Sequence, residues 1–172
     1  MSTKIWRPLS DSHGHAVDMV AGGLSGVVAG IFGSIVLQLI DSTQVLTEAI
    51  PALIGLPTPV LIAGWLLFIM MGVGAGLFYA GLLTAVGRNI TAPDRGALAG
   101  ALYGVVLWVL VAVVFVPVAT TAVGYADAPP FPYIEVVTLA SYVGYGVIIG
   151  AFYAAIAGYR STSADSSTDV AL

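Results

Sequence analysis

Four long apolar runs set the rhythm of this chain, at residues 17–40, 60–86, 96–116 and 134–158, with polar stretches before, between and after them. Each run reaches or exceeds the ~20 residues that a helix rising ~1.5 Å per residue needs to cross ~30 Å of hydrocarbon. The alternation of apolar and polar residues that marks a membrane barrel strand is missing. In lipid the remaining way to pair every backbone N–H and C=O is the helix, so the pattern predicts four transmembrane helices. The residues outside them are a polar leader (1–16), a short middle loop (87–95) and a polar tail (159–172), the tail being expected to be disordered. The first run is not expected to be a cleaved signal sequence: its leader and its apolar stretch are both too long, and it has a counterpart later in the chain.

That counterpart is an internal repeat. At an offset of 74 residues, Gly22, Leu24, Gly26 and Gly30 fall on Gly96, Leu98, Gly100 and Gly104. The same offset carries Gly72, Val73, Gly76, Phe78, Tyr79 and Ala80 onto Gly146, Val147, Gly150, Phe152, Tyr153 and Ala154. Chance would align about one or two glycine pairs at a single offset, and five align here. The sequence is therefore read as a tandem duplication of a two-helix hairpin, 17–86 and 96–158. With two spans per copy the repeats are parallel, related by an axis along the membrane normal. Spacings of four place the glycines on one helix face, a glycine zipper whose missing side chains let backbones approach. In the first span Ala21, Ser25, Ala29 and Gly33 form a second strip of small residues beside Gly22, Gly26 and Gly30.

Composition agrees with this reading. The chain has 172 residues, 59% hydrophobic and 8% charged, with a mean hydropathy of +1.01. A water-soluble domain carries about a quarter charged residues to solvate its surface. The five basic residues fall at Lys4, Arg7, Arg88, Arg95 and Arg160, and none lies in the connections 41–59 and 117–133. By the positive-inside rule the termini and middle loop are expected to be cytoplasmic in a multi-pass cell-membrane protein. Trp6, Tyr125, Tyr133 and Tyr159 stand where interfacial rings are expected. Seven Asp, two Glu, one Lys and a pI near 4.7 suggest the hydrated acidic loops of a halophilic organism. No basic patch exists to hold phosphodiesters, so a nucleic-acid partner is not expected. The connection 41–59, apolar but interrupted by Pro51 and Gly55, is expected to form an interfacial turn or short helix, and not a pore loop.

The residue types that carry chemistry are sparse. Without cysteine there is no thiolate catalysis, disulfide or Cys-held metal. His13, His15 and Asp18 share the segment HGHAVD and are metal-ligand types. Two imidazoles and one carboxylate in a leader fall short of a metal site, and they are read as interfacial polar residues. No ionisable group sits at mid-span, where ion and proton routes place them. No nucleophile–base set, P-loop or dinucleotide fingerprint occurs, so neither an enzyme nor a cofactor is expected. Tyr79, Tyr103, Trp108 and Tyr153 are the candidates to line a cavity or interface, with aromatic packing against the glycine strips as the competing account.

The segment GALYGVVLWVLVAVVFVP (100–117) resembles the Tyr-Gly-x3-Trp followed by a distal proline of the YagU-like bacterial inner-membrane family, through Tyr103, Gly104, Trp108 and Pro117. It is also similar to uncharacterised haloarchaeal four-helix membrane proteins. The resemblance implies a small polytopic membrane protein of unassigned activity. Together these features predict a non-catalytic membrane component in the lipid bilayer. It would act either as an accessory subunit against a larger complex, such as a respiratory one, or as a self-associating bundle. The alternative is a small transporter or channel formed by the duplicated hairpins and expected to be dimeric.

Overall fold

The computed structural model describes the backbone of residues 9–39, 43–88 and 90–169, and the side chains of 18–39, 43–88 and 90–159. Trp6 and the side chains of His13, His15 and Arg160 lie outside the described residues. Within them the fold is helical, and four helices are long and apolar enough to cross a membrane. We label these α1 (Leu9–Leu39), α2 (Leu61–Ala85), α3 (Pro93–Ala122) and α4 (Val136–Asp169). Helix α4 runs on into the segment expected as a tail. Their outer faces are apolar: Ile62, Met70 and Leu98 are each about two-thirds or more exposed (75%, 69% and 68%). Helices whose exposed faces are apolar along their length suit lipid as solvent.

The helices pack in the order α2–α1–α4–α3. The α1/α2 and α3/α4 pairs are the most extensive, α1 also packs along α4, and α2 touches α4 only slightly. Within both hairpins the contact is backbone on backbone. A Cβ added at Gly22 would meet the Gly76 carbonyl oxygen at 2.6 Å and the Ala80 Cβ at 2.7 Å; one at Gly96 would strike the Gly150 oxygen and meet the Ala154 Cβ at 2.6 Å. Gly26 is set against the Gly72 carbonyl, and Gly100 against that of Gly146. One turn further, Gly30 lies against Ile69 and Phe68, and Gly104 against Val143 and Tyr142. Every partner in the second hairpin stands 74 residues after its equivalent in the first. The hydroxyls of Ser25, Ser34 and Thr84 return to the carbonyls of Gly22, Gly30 and Ala80 at 2.8–2.9 Å, which spares them a partner in lipid.

Prolines shape the far end. The third apolar run is expected to end at residue 116, because a proline lacks an N–H and its ring collides with the carbonyl four residues back. Helix α3 nevertheless continues through Pro117 to Ala122. It does so by widening into a π-helix over Trp108–Phe115, in which the Val116 N–H donates to Val111, five residues back. The Val113 carbonyl, which residue 117 would bond in an α-helix, accepts the Tyr133 N–H at 3.5 Å. The same device precedes Pro51. Val45–Ala49 is π-helical, and the Ile50 N–H donates to Val45 before a short helix, Ile50–Ala52. Of the two forms expected for this connection, the short helix is found, packed on the bundle: Leu46, Ile50 and Pro51 are buried, and the Leu46 carbonyl occupies the space a side chain at Gly64 would need. Helix α3 stops at Gly124, whose φ of 72° lets Tyr125 N–H reach back to the Thr120 carbonyl at 2.9 Å.

These contacts set a differential expectation for stability. Gly26→Leu and Gly100→Leu drive a side chain into a facing backbone and should each cost about 1–3 kcal/mol or more, as core overpacking does. Gly74→Leu and Gly144→Leu, at helical glycines with nothing within 4 Å of an added Cβ, should leave the unfolding midpoint in detergent unchanged or slightly raised. Equal losses at all four positions would show that helix propensity, and not close approach, is being measured.

Candidate functional site in the cleft between α2 and α3

Helices α1 and α4 pack, whereas α2 and α3 come close at almost no point along their backbones. Under the offset of 74, α1 corresponds to α3 and α2 to α4, so these two interfaces are equivalent pairs, one closed and one open. The difference lies in the second strip. On α1 it reads Ala21, Ser25, Ala29, Gly33; the first three are fully buried, and the strip's ends reach α4 through Gly33, against Tyr145, and Asp18, whose carboxylate is within hydrogen-bonding reach of the Tyr153 hydroxyl. The equivalent residues on α3 are Arg95, Ala99, Tyr103 and Leu107. Where Ala29 lets two helices close, Tyr103 holds two apart.

The tyrosines span that gap. Tyr103 donates to the Ala75 carbonyl of α2 at 2.7 Å, and Tyr79 donates to the Gly96 carbonyl of α3 at 3.4 Å. Their rings lie 5.2 Å apart, and Tyr79 meets Tyr153 edge-on at 5.5 Å. All three are buried and join the main apolar cluster with Ala21, Ala29, Ala80 and Ile149. The structure thus brings Tyr79, Tyr103 and Tyr153 together and leaves Trp108 apart. Trp108 is toward the far end, its indole N–H donating to the Thr138 hydroxyl at 3.1 Å. The glycines Gly22, Gly26, Gly30, Gly72 and Gly76 lie between α1 and α2, and Gly96, Gly100, Gly104, Gly146 and Gly150 between α3 and α4.

In front of the tyrosine wall runs a groove in two continuous parts, of about 220 and 520 Å³. Tyr79, Leu82, Val86, Leu102 and Val106 line the first part; Arg88, Arg95 and Leu98, with the connection 90–92, line the second. Gly87, with φ 65°, ends α2 and turns the chain so that the Arg88 N–H caps Leu83 at 2.9 Å. Helix α3 restarts with Pro93 in its first turn, which places Arg95 one turn in. Among the described residues neither guanidinium has an ion-pair or hydrogen-bond partner. Sequence reasoning used these arginines only to orient the chain. The signal that marks Arg95 as a site residue is the divergence of the two strips at the repeat offset. At the far end the outer segments meet, where burial first, then Glu48 and Asp127, push the Tyr125 phenol up. The nearby Tyr133 phenol is pushed up by donating to Glu135 at 2.6 Å. Among residues whose side chains are described, no three His, Cys, Asp or Glu gather as a metal site.

The fold and its apolar exterior define a multi-pass helical protein with four helices long and apolar enough to span a membrane. The chain belongs to a family of unknown function, DUF6789, which it matches over residues 16–164. Comparison with curated proteins and with solved structures gives no match.

The two cross-cleft bonds differ in length, so their removal should differ in effect. Tyr103→Phe deletes the 2.7 Å bond to a carbonyl that keeps its partner within α2, at a cost of about 1 kcal/mol. Tyr79→Phe deletes only the 3.4 Å contact and should lower the thermal midpoint less. The reverse order would mean that the ring contacts, and not the hydroxyls, hold α2 to α3.

Proposed function

We propose that this chain is a non-catalytic integral membrane protein that works by association, either as an accessory subunit packed against a larger membrane complex or as a self-associating bundle. The observation that supports it is how the bundle interior is filled. Gly backbones meet within each hairpin, and three tyrosine rings occupy the centre at 5.2 and 5.5 Å from one another. A conducting path needs polar or ionisable groups lining a water-wide route at mid-depth. The space such a route would take between the paired tyrosines is occupied by their own rings. The apolar outer faces are suited to lipid or to the apolar spans of a partner.

Three further elements belong to this reading. The hairpins are tandem copies of one ancestral hairpin about a pseudo-twofold axis, supported by contact partners that shift together by 74 residues. The termini and the 86–92 connection are cytoplasmic, supported by the placement of all five basic residues. The acid-rich, lysine-poor polar segments and the likeness of 100–117 to haloarchaeal four-helix proteins fit a high-salt setting.

Orientation is tested by single cysteines in this Cys-free chain. Thr43→Cys and Ala126→Cys should react with an impermeant thiol reagent from outside intact cells, and Ser163→Cys should not; the opposite pattern inverts the topology. Function is tested by reconstitution and by purification in mild detergent. Liposomes carrying the protein should show no ion or proton flux above empty vesicles, and the particle from native membranes should exceed a monomer in mass. Reproducible flux abolished by Tyr79→Phe with Tyr153→Phe would establish a transporter instead.

A further inference from the structure

We infer that the cleft between α2 and α3 is a binding site for an anionic phospholipid, with the phosphate headgroup at Arg88 and Arg95 and an acyl chain along Leu98, Leu102 and Val106. The inference rests on the bilayer-spanning reading and is independent of what the chain associates with. The groove has the two-part chemistry of an amphiphile. Its end beside the 86–92 connection carries two guanidiniums, which match a phosphate's geometry and charge and lack partners among the described residues. Below them the lining turns apolar, with Leu98 and Leu102 68% and 66% exposed, and the groove ends against Tyr79 and Tyr103. The depth of this change matches a lipid, whose phosphate lies at the water boundary and whose chain descends along the helices.

Charge complementarity selects this occupant over a second copy of the chain. A copy would present mostly apolar helix faces to two guanidiniums, whereas a lipid phosphate supplies the opposite charge. Anionic lipid is also concentrated in the cytoplasmic leaflet, the side to which the arginines are assigned. The built asymmetry fits as well. On α1 the positions equivalent to Arg95 and Tyr103 are Ala21 and Ala29, both fully buried in the main apolar cluster. An arginine and a tyrosine at these positions on α3 open and charge the one interface of the pair that is left unpaired by protein.

The test is native mass spectrometry of the full chain in detergent, titrated with phosphatidylglycerol, phosphatidylcholine or inorganic phosphate. Phosphatidylglycerol should bind at least about tenfold more tightly than phosphatidylcholine. Arg88→Gln with Arg95→Gln should abolish that preference, and Arg88→Lys with Arg95→Lys should keep part of it. Ala99→Trp, which fills the groove and leaves both arginines, should reduce the binding of phosphatidylglycerol. An unchanged thermal midpoint certifies that each variant is folded. Equal binding of the two lipids, or a preference that survives both Gln substitutions, overturns the inference. Inorganic phosphate that displaces phosphatidylglycerol at equal concentration assigns a phosphate site and also overturns it. So does a dimer crosslinked through Leu102→Cys in unchanged yield when phosphatidylglycerol is added, because the cleft then holds a second copy.

Discussion

Close approach of helix backbones is the contact on which this structure depends. Lipid tails are as apolar as leucine side chains, so burying one apolar surface on another brings little advantage inside a bilayer. What remains is dispersion between atoms packed at contact distance, and that grows as the helices near one another. Gly22, Gly26, Gly72 and Gly76 on one pair, and Gly96, Gly100, Gly146 and Gly150 on the other, remove the side chains that would hold the axes apart. Each backbone then serves as the packing surface of its partner. The polar groups along these faces stay satisfied internally, Ser25 and Ser34 within their own helix and Tyr103 across to α2.

From that constraint follows the difference between the two lateral interfaces. The closed interface of α1 with α4 uses Ala21, Ser25 and Ala29, and the open one of α2 with α3 carries Arg95, Ala99 and Tyr103 at the same positions. A few side-chain volumes decide whether two helices touch or leave a groove. Such divergence between matching positions converts a packing seam into a surface with its own chemistry. The tyrosines do two things at once: they close the interior, and they form the inner wall of the groove.

The four long apolar helices were legible from hydropathy, because a helix fit to cross hydrocarbon stands out by its length and composition. The expected runs 17–40, 60–86 and 134–158 lie close to the apolar segments Asp18–Leu39, Leu61–Ala85 and Val136–Tyr159. The third was not legible at its far end. Pro117 reads locally as a stop, but a switch to π-helical bonding over Trp108–Phe115 and the docking of Tyr133 on the Val113 carbonyl carry the helix past it. The outer segment at Pro51 was ambiguous for the same reason. Its burial comes from Leu46 seating on Gly64, a contact between residues that neither pattern nor propensity connects.

By itself the sequence determined the helical fold of the described residues and its four membrane-length helices, since these follow from solvent and from helical periodicity. Only the tertiary structure decided which faces meet. It set the order α2–α1–α4–α3, gathered Tyr79, Tyr103 and Tyr153 while leaving Trp108 apart, and turned Arg88 and Arg95 from markers of orientation into the rim of a groove. The physical reason is that periodicity assigns a residue to a face of its own helix, whereas the neighbour that face receives depends on the combined volumes of side chains far apart in the chain.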